Sequence, residues 1–117
     1  MERDQPVRVI FFETEAGNEP VRQWLKALTK EDKKAIGEDI LTVQFSWPIG
    51  KPLVDNLGDQ IWEVRSRLKN RIARTLFTVH EEEIILLHGF IKKERKTPKS
   101  DLDLARKRKS IYLSSYE

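Results

Sequence analysis

The chain has no cysteine, which excludes disulfides and thiolate metal sites and is compatible with a reducing compartment. Histidine is nearly absent too, and two imidazoles cannot enclose a metal ion by themselves. No apolar run approaches the roughly 20 residues that a membrane-spanning helix needs. Met1 to Pro6 lacks the apolar core of a signal segment. Repeats, low-complexity tracts and linkers are also missing. What remains is one cytoplasmic domain over residues 1–117, long enough to bury a core without staples and too short for two.

Charge is plentiful and unevenly placed. Residues 1–64 hold 8 Lys+Arg against 12 Asp+Glu, and residues 65–117 hold 14 against 7, so halves of −4 and +7 make up the net +3. A basic half attracts phosphate by releasing condensed counterions. Nucleic acid is therefore the leading partner class, and ordinary surface solvation is the alternative.

Val7 to Phe12 reads as a first strand closed by a turn at Glu13–Gly17. Asn18 looks like a helix cap with Pro20 in the first turn, and Val21, Trp24, Leu25 and Leu28 form one apolar stripe. Thr29 caps a second helix, Asp32 reaches back toward it, and Ala35, Ile36, Ile40 and Val43 supply the buried side. Trp47-Pro48 and Gly50 end that helix, and a loop runs to about Gln60. Ile61 to Arg67, Arg71 to Val79 and Glu83 to Ile91 then read as an antiparallel meander with short turns, its third strand apolar enough to be covered on both faces. Ser100, with Asp103 three residues on, suits the cap of a last helix. The expected fold is α+β: a four-stranded antiparallel or mixed sheet in the order β-α-α-β-β-β-α, with an N-terminal helical hairpin and a C-terminal helix.

Four segments carry a resemblance: Ile61-Trp62-Glu63-Val64-Arg65-Ser66, Arg71 to Phe77, Leu86-Leu87-His88-Gly89-Phe90-Ile91-Lys92-Lys93, and Lys96-Thr97-Pro98 before a helix. The chain resembles the phage-derived Gp49-like branch of the RelE/HigB toxin superfamily over nearly its whole length. Leu86 to Ala105 is the most specific part. The resemblance implies a RelE-like single domain and the toxin of a type II toxin–antitoxin pair. It implies a ribosome-dependent mRNA interferase, whose partners are mRNA, ribosomal RNA and a helix-turn-helix, HigA-like antitoxin, with no membrane and no cofactor. In place of the family's Gly-rich turn this chain carries His80-Glu81-Glu82-Glu83.

RNA cleavage without metal needs in-line attack by the 2′-hydroxyl, stabilisation of the pentacovalent oxygens and a proton for the leaving 5′-oxygen. Arginine forks suit the phosphate oxygens, and lysine can carry charge or a proton. By position in the resembling motifs, Arg65 and Arg74 would stabilise transition-state charge. Lys92 or Lys93 would supply proton transfer or charge, and Lys96 would meet the scissile or a neighbouring phosphate. Arg67, Lys69, Arg71, Arg95 and Lys99, with the basic run Arg106 to Lys109, suit RNA binding. Phe90 fits either base stacking or core packing.

Strand parity groups Arg65 with Ile61, Glu63 and Arg67, and Arg74 with Ile72, Leu76 and Thr78. The same parity puts His88 beside Ile84 and Leu86, as a hydrogen-bonded core histidine outside the catalytic set. His80 reads as a turn residue. Tyr112 reads as helix packing, and Trp24, Trp47 and Trp62 as core or loop anchors. A ParE-like toxin acting on gyrase and a non-catalytic basic RNA- or DNA-binding module are the competing functions.

Overall fold

In the computed structural model, which describes residues 3–92 and 94–116, eight elements follow one another: β1 (Arg8–Phe11), α1 (Pro20–Lys26), α2 (Lys30–Ser46), β2 (Val54–Gly58), β3 (Ile61–Leu68), β4 (Arg71–His80), β5 (Glu83–Lys92) and α3 (Lys99–Ser114). They build an α+β domain around one open mixed sheet with the strand order β1-β5-β4-β3-β2. The pair β1 and β5 is parallel, and every other neighbouring pair is antiparallel.

The sheet has five strands rather than the expected four. The additional one, β2, lies in the stretch read as loop, because Asp55 and Asn56 are poor strand formers and Pro48, Gly50 and Pro52 precede them. Pairing with β3 creates this edge strand. Val54 is buried opposite Val64, and Asp59 and Gln60 make the two-residue turn with φ of 57° each. The β4–β5 connection is also a two-residue turn, Glu81 and Glu82, with φ of 49° and 64°.

Both apolar stripes of α1 and α2 cover one face, where Val21, Ile36, Ile40 and Val43 meet Val64, Ala73, Phe77, Ile84 and Leu86. The first helix lies over β5 and β1, the second over β3. Trp47, Trp62 and Phe77 join that core as an aromatic cluster with ring centroids 5.0–6.0 Å apart. On the opposite face α3 packs by Ala105 and Leu102 on Ile61, Leu76, Ile85, Leu87 and Phe90. Burying each such side chain stabilises by about 1.5–3 kcal/mol. Among the described residues no helix is long and apolar enough to cross a membrane.

Two caps differ from expectation. Glu19, not Asn18, precedes α1 and makes no side-chain cap, and Pro98 precedes α3, placing Ser100 inside the helix. Thr29 does cap α2, accepting from the Asp32 amide at 3.2 Å. The Asp32 side chain, however, turns away from the cap to accept from Arg71 at 2.9 Å.

One irregularity decides which side chains of β5 share the α3 face. Leu76 pairs with His88 and the next residue, Phe77, with Leu86, so Leu87 is a bulge residue in β5. An unbroken strand would place His88, Phe90 and Lys92 with Ile84 and Leu86, against α1 and α2. The extra residue turns all three onto the α3 face. The expected side of His88 is thereby corrected.

Candidate functional site

Register on the α3 face creates three rows across β3, β4 and β5: Glu63, Leu76 and His88; Arg65, Arg74 and Phe90; Arg67, Ile72 and Lys92. Arg65 and Arg74 are direct cross-strand partners and share one face of the sheet. Arg67 and Lys92 flank Ile72 in the outermost row. Strands lie about 4.8 Å apart, so two long cationic side chains from the outer strands can reach a single phosphate group above Ile72.

Arg74 does not face solvent. Its side chain is 0% exposed, with Nη1 donating to Glu63 Oε1 and to Thr97 Oγ1 at 3.4 Å each, and Nη2 donating to the Glu94 carbonyl. Glu63 is equally buried. It accepts from Arg65 Nε at 2.8 Å and from the Thr97 hydroxyl at 2.5 Å as well. A carboxylate withdrawn from water is tolerable only with such partners. Arg74 thus joins β3 and β4 to the segment leading into α3 and lies beneath the surface that a substrate would meet.

Arg65 is a third exposed, bound to Glu63, to Asp55 at 3.6 Å and to the Arg95 carbonyl at 3.1 Å. Lys92 is 40% exposed, with Nζ 3.4 Å from Asp101 Oδ2. Arg67, Arg95, Lys96 and Lys99 are exposed, and the backbone of Glu94 and Arg95 meets Arg74 and Arg65. The outer layer of the site is therefore Arg65, Arg67, Lys92 and Lys96. Lys93 lies outside the described residues.

Three expected RNA contacts stand elsewhere. Arg71 points to the other face and clamps β4 to α2 through Asp32. Lys69 occupies the exposed β3–β4 turn. Phe90 is 8% exposed, its ring 5.4 Å from that of His88 and buried against α3, which leaves no open face for a base. Core packing is its role. The basic run of α3 is largely spoken for too: Arg106 and Lys109 pair with Asp59 in the β2–β3 turn. Arg108 points inward and donates to the Leu87 carbonyl at 2.9 Å, the bulge residue's own acceptor. Burial lowers the Arg108 pKa from its ordinary value.

Sequence reasoning missed His88 and Asp101 as neighbours of the site. His88 Nε2 lies 2.6 Å from Asp101 Oδ1, and Arg108 Nη1 lies 3.5 Å from His88 Nδ1. Alternation alone hides this, because the bulge is set by tertiary pairing. At the far end of α3, His80 packs on Tyr116 and Tyr112 rather than standing free in a turn, and the two tyrosine hydroxyls are 2.8 Å apart.

The candidate site thus presents the partly exposed cations Arg65, Arg67 and Lys92 over a buried layer in which Arg74 pairs with Glu63. A model of the phage-derived Gp49-like protein family matches residues 23–110. A search of curated proteins finds no match to the chain.

Proposed function

The chain belongs to the phage-derived Gp49-like family, and on that premise we propose that it is the toxin of a type II toxin–antitoxin system, an mRNA interferase of the RelE/HigB kind acting on translating ribosomes. The observation that carries the reading is the shared face of Arg65, Arg67 and Lys92, which the Leu87 bulge makes possible. Three cations from β3 and β5, on either side of β4, fit a phosphodiester better than they fit a protein surface.

In the proposed reaction the 2′-oxygen forms a bond to the adjacent phosphorus and the bond to the 5′-oxygen breaks. The proton of the 2′-hydroxyl is lost, and the 5′-oxygen gains one. Arg65 and Arg67 hold the non-bridging oxygens, and Lys92 or Lys93 supplies charge or the proton for the leaving oxygen. Arg74 supports the site from below. The ribosome fixes the message backbone, so naked RNA is a poor substrate. A helix-turn-helix antitoxin encoded alongside would cover the basic face.

The test uses exposed positions. Arg67→Ala, Lys92→Ala and Lys96→Ala should fold normally and lose message cleavage in a translation reaction. Products of the wild-type protein should carry 2′,3′-cyclic phosphate and 5′-hydroxyl ends. Intact messages alongside inhibited gyrase supercoiling would overturn the reading in favour of a ParE-like toxin. Salt-sensitive RNA or DNA binding without cleavage or growth arrest would leave a plain binding module.

A further inference from the structure

We infer that Asp101, backed by His88 and Arg108, is the positioning group that aims the Lys92 ammonium across the cationic face; the inference rests on the nuclease reading above. Four side chains from β5 and α3 form a continuous series. Arg108 Nη1 faces His88 Nδ1 at 3.5 Å, His88 Nε2 meets Asp101 Oδ1 at 2.6 Å, and Asp101 Oδ2 lies 3.4 Å from Lys92 Nζ. The tautomer with hydrogen on Nε2 satisfies both histidine contacts. Arg108 is itself fixed by the Leu87 carbonyl, and the His88 ring stacks on Phe90 with an interplanar angle of 27°.

Asp101 Oδ2 is buried and has no hydrogen-bond partner, and Lys92 is the cation beside it. Lysine ends in a compact charge on a flexible four-carbon stem, so an unrestrained Lys92 would sample many positions and hold the reactive one only briefly. Here the ammonium is confined twice, by Asp101 and by the Phe90 ring, whose centroid is 5.9 Å away. Rotamer freedom is removed before RNA arrives, which benefits the chemical step more than binding. Asp101 and His88 have side chains only 14% and 15% exposed, so they act through Lys92 and do not touch substrate.

A double-mutant cycle tests this. Asp101→Asn keeps the shape and removes the charge that holds Lys92. The expected result is a fall in kcat of at least tenfold with KM changed less than threefold, and rescue of most of the rate by Asp101→Glu. In a Lys92→Ala background Asp101→Asn should cost less than a further twofold. His88→Gln keeps a donor toward Asp101 and should retain more activity than His88→Phe. Losses from Asp101→Asn and Lys92→Ala that multiply would overturn the inference, as would a loss confined to KM. A second measurement is independent of cleavage. With lysines reductively methylated with ¹³C, the Lys92 signal, identified by its disappearance in Lys92→Ala, should shift in Asp101→Asn. An unshifted signal overturns the inference. A shifted signal from a protein that cleaves no message overturns the nuclease reading and leaves Asp101 as the residue that holds Lys92.

Discussion

Replacing Arg74 by methionine separates a support beneath the site from a contact with phosphate. Methionine roughly preserves volume, so the main loss is the guanidinium that pairs with Glu63 and ties down Glu94 and Thr97. Breaking a buried ion pair by removing one partner typically costs 3–5 kcal/mol. Glu63 would keep Arg65 Nε at 2.8 Å and the Thr97 hydroxyl, which puts the expected cost at the lower end, about 3 kcal/mol. Domain stabilities are only about 5–15 kcal/mol. With a urea slope of about 1.5 kcal/mol per molar, the unfolding midpoint should fall by about 2 M.

Adding Glu63→Gln to Arg74→Met removes the stranded charge while leaving a partner for Thr97 and Arg65. Most of the lost midpoint should return. Two results would refute the reasoning. A midpoint shift under about 0.5 M for Arg74→Met, below 1 kcal/mol on the same slope, would mean that the buried pair does not hold β3, β4 and the segment before α3 together. A double variant that regains stability but cleaves nothing, while Glu63→Gln alone cleaves normally, would return Arg74 to the phosphate.

Gly89 lies under the Trp24 ring, where an added Cβ would come within 2.2 Å of Cε3. Gly89→Ala should therefore destabilise by about 1–3 kcal/mol in thermal or urea melts, and Trp24→Leu should relieve part of that loss. The Tyr112 hydroxyl is held well above the ordinary tyrosine range, first by desolvation and then by its hydrogen bond to Tyr116. A folded-state pKa raised above the unfolded value means stability is fully present below about pH 10 and declines as pH rises beyond it. Spectrophotometric titration should show one late-ionising tyrosine, lost in Tyr112→Phe. Arg67→Ala should lower the slope of log K against log salt for RNA binding by about 1, whereas Lys107→Ala on α3 should change it far less if the β-face is the contact surface.

Much of the fold was legible because periodicity and turn chemistry agree. The apolar stripe of α2, its Thr29 cap and the three-stranded meander follow from residue spacing, and alternation groups Arg65 with Glu63 and Arg67, whereas its facing Arg74 comes from the β3–β4 register. The strand β2 was not legible, since its Asp55-Asn56 centre has no strand preference of its own and becomes ordered only against β3. Arg74 illustrates a different limit. In sequence a strand arginine looks like a surface charge, and only the location of Glu63 directly across from Leu76, one row away, makes its burial tolerable.

The Leu87 bulge is the sharpest case, because the proposed function depends on it. Read as a regular strand, β5 carries Lys92 to the helical-hairpin face, away from Arg65 and Arg67, and the cationic face loses its lysine. One inserted residue reverses that side at the cost of an interrupted ladder, and the Leu87 carbonyl at the interruption is met from another element. Arg108 answers that carbonyl from α3 and at the same time meets His88. The bulge, the inward-pointing Arg108 of α3 and the histidine beside it are therefore one device. It ties the placement of Lys92 to the docking of α3, so substitutions far along α3 should alter the chemistry of β5 without touching RNA.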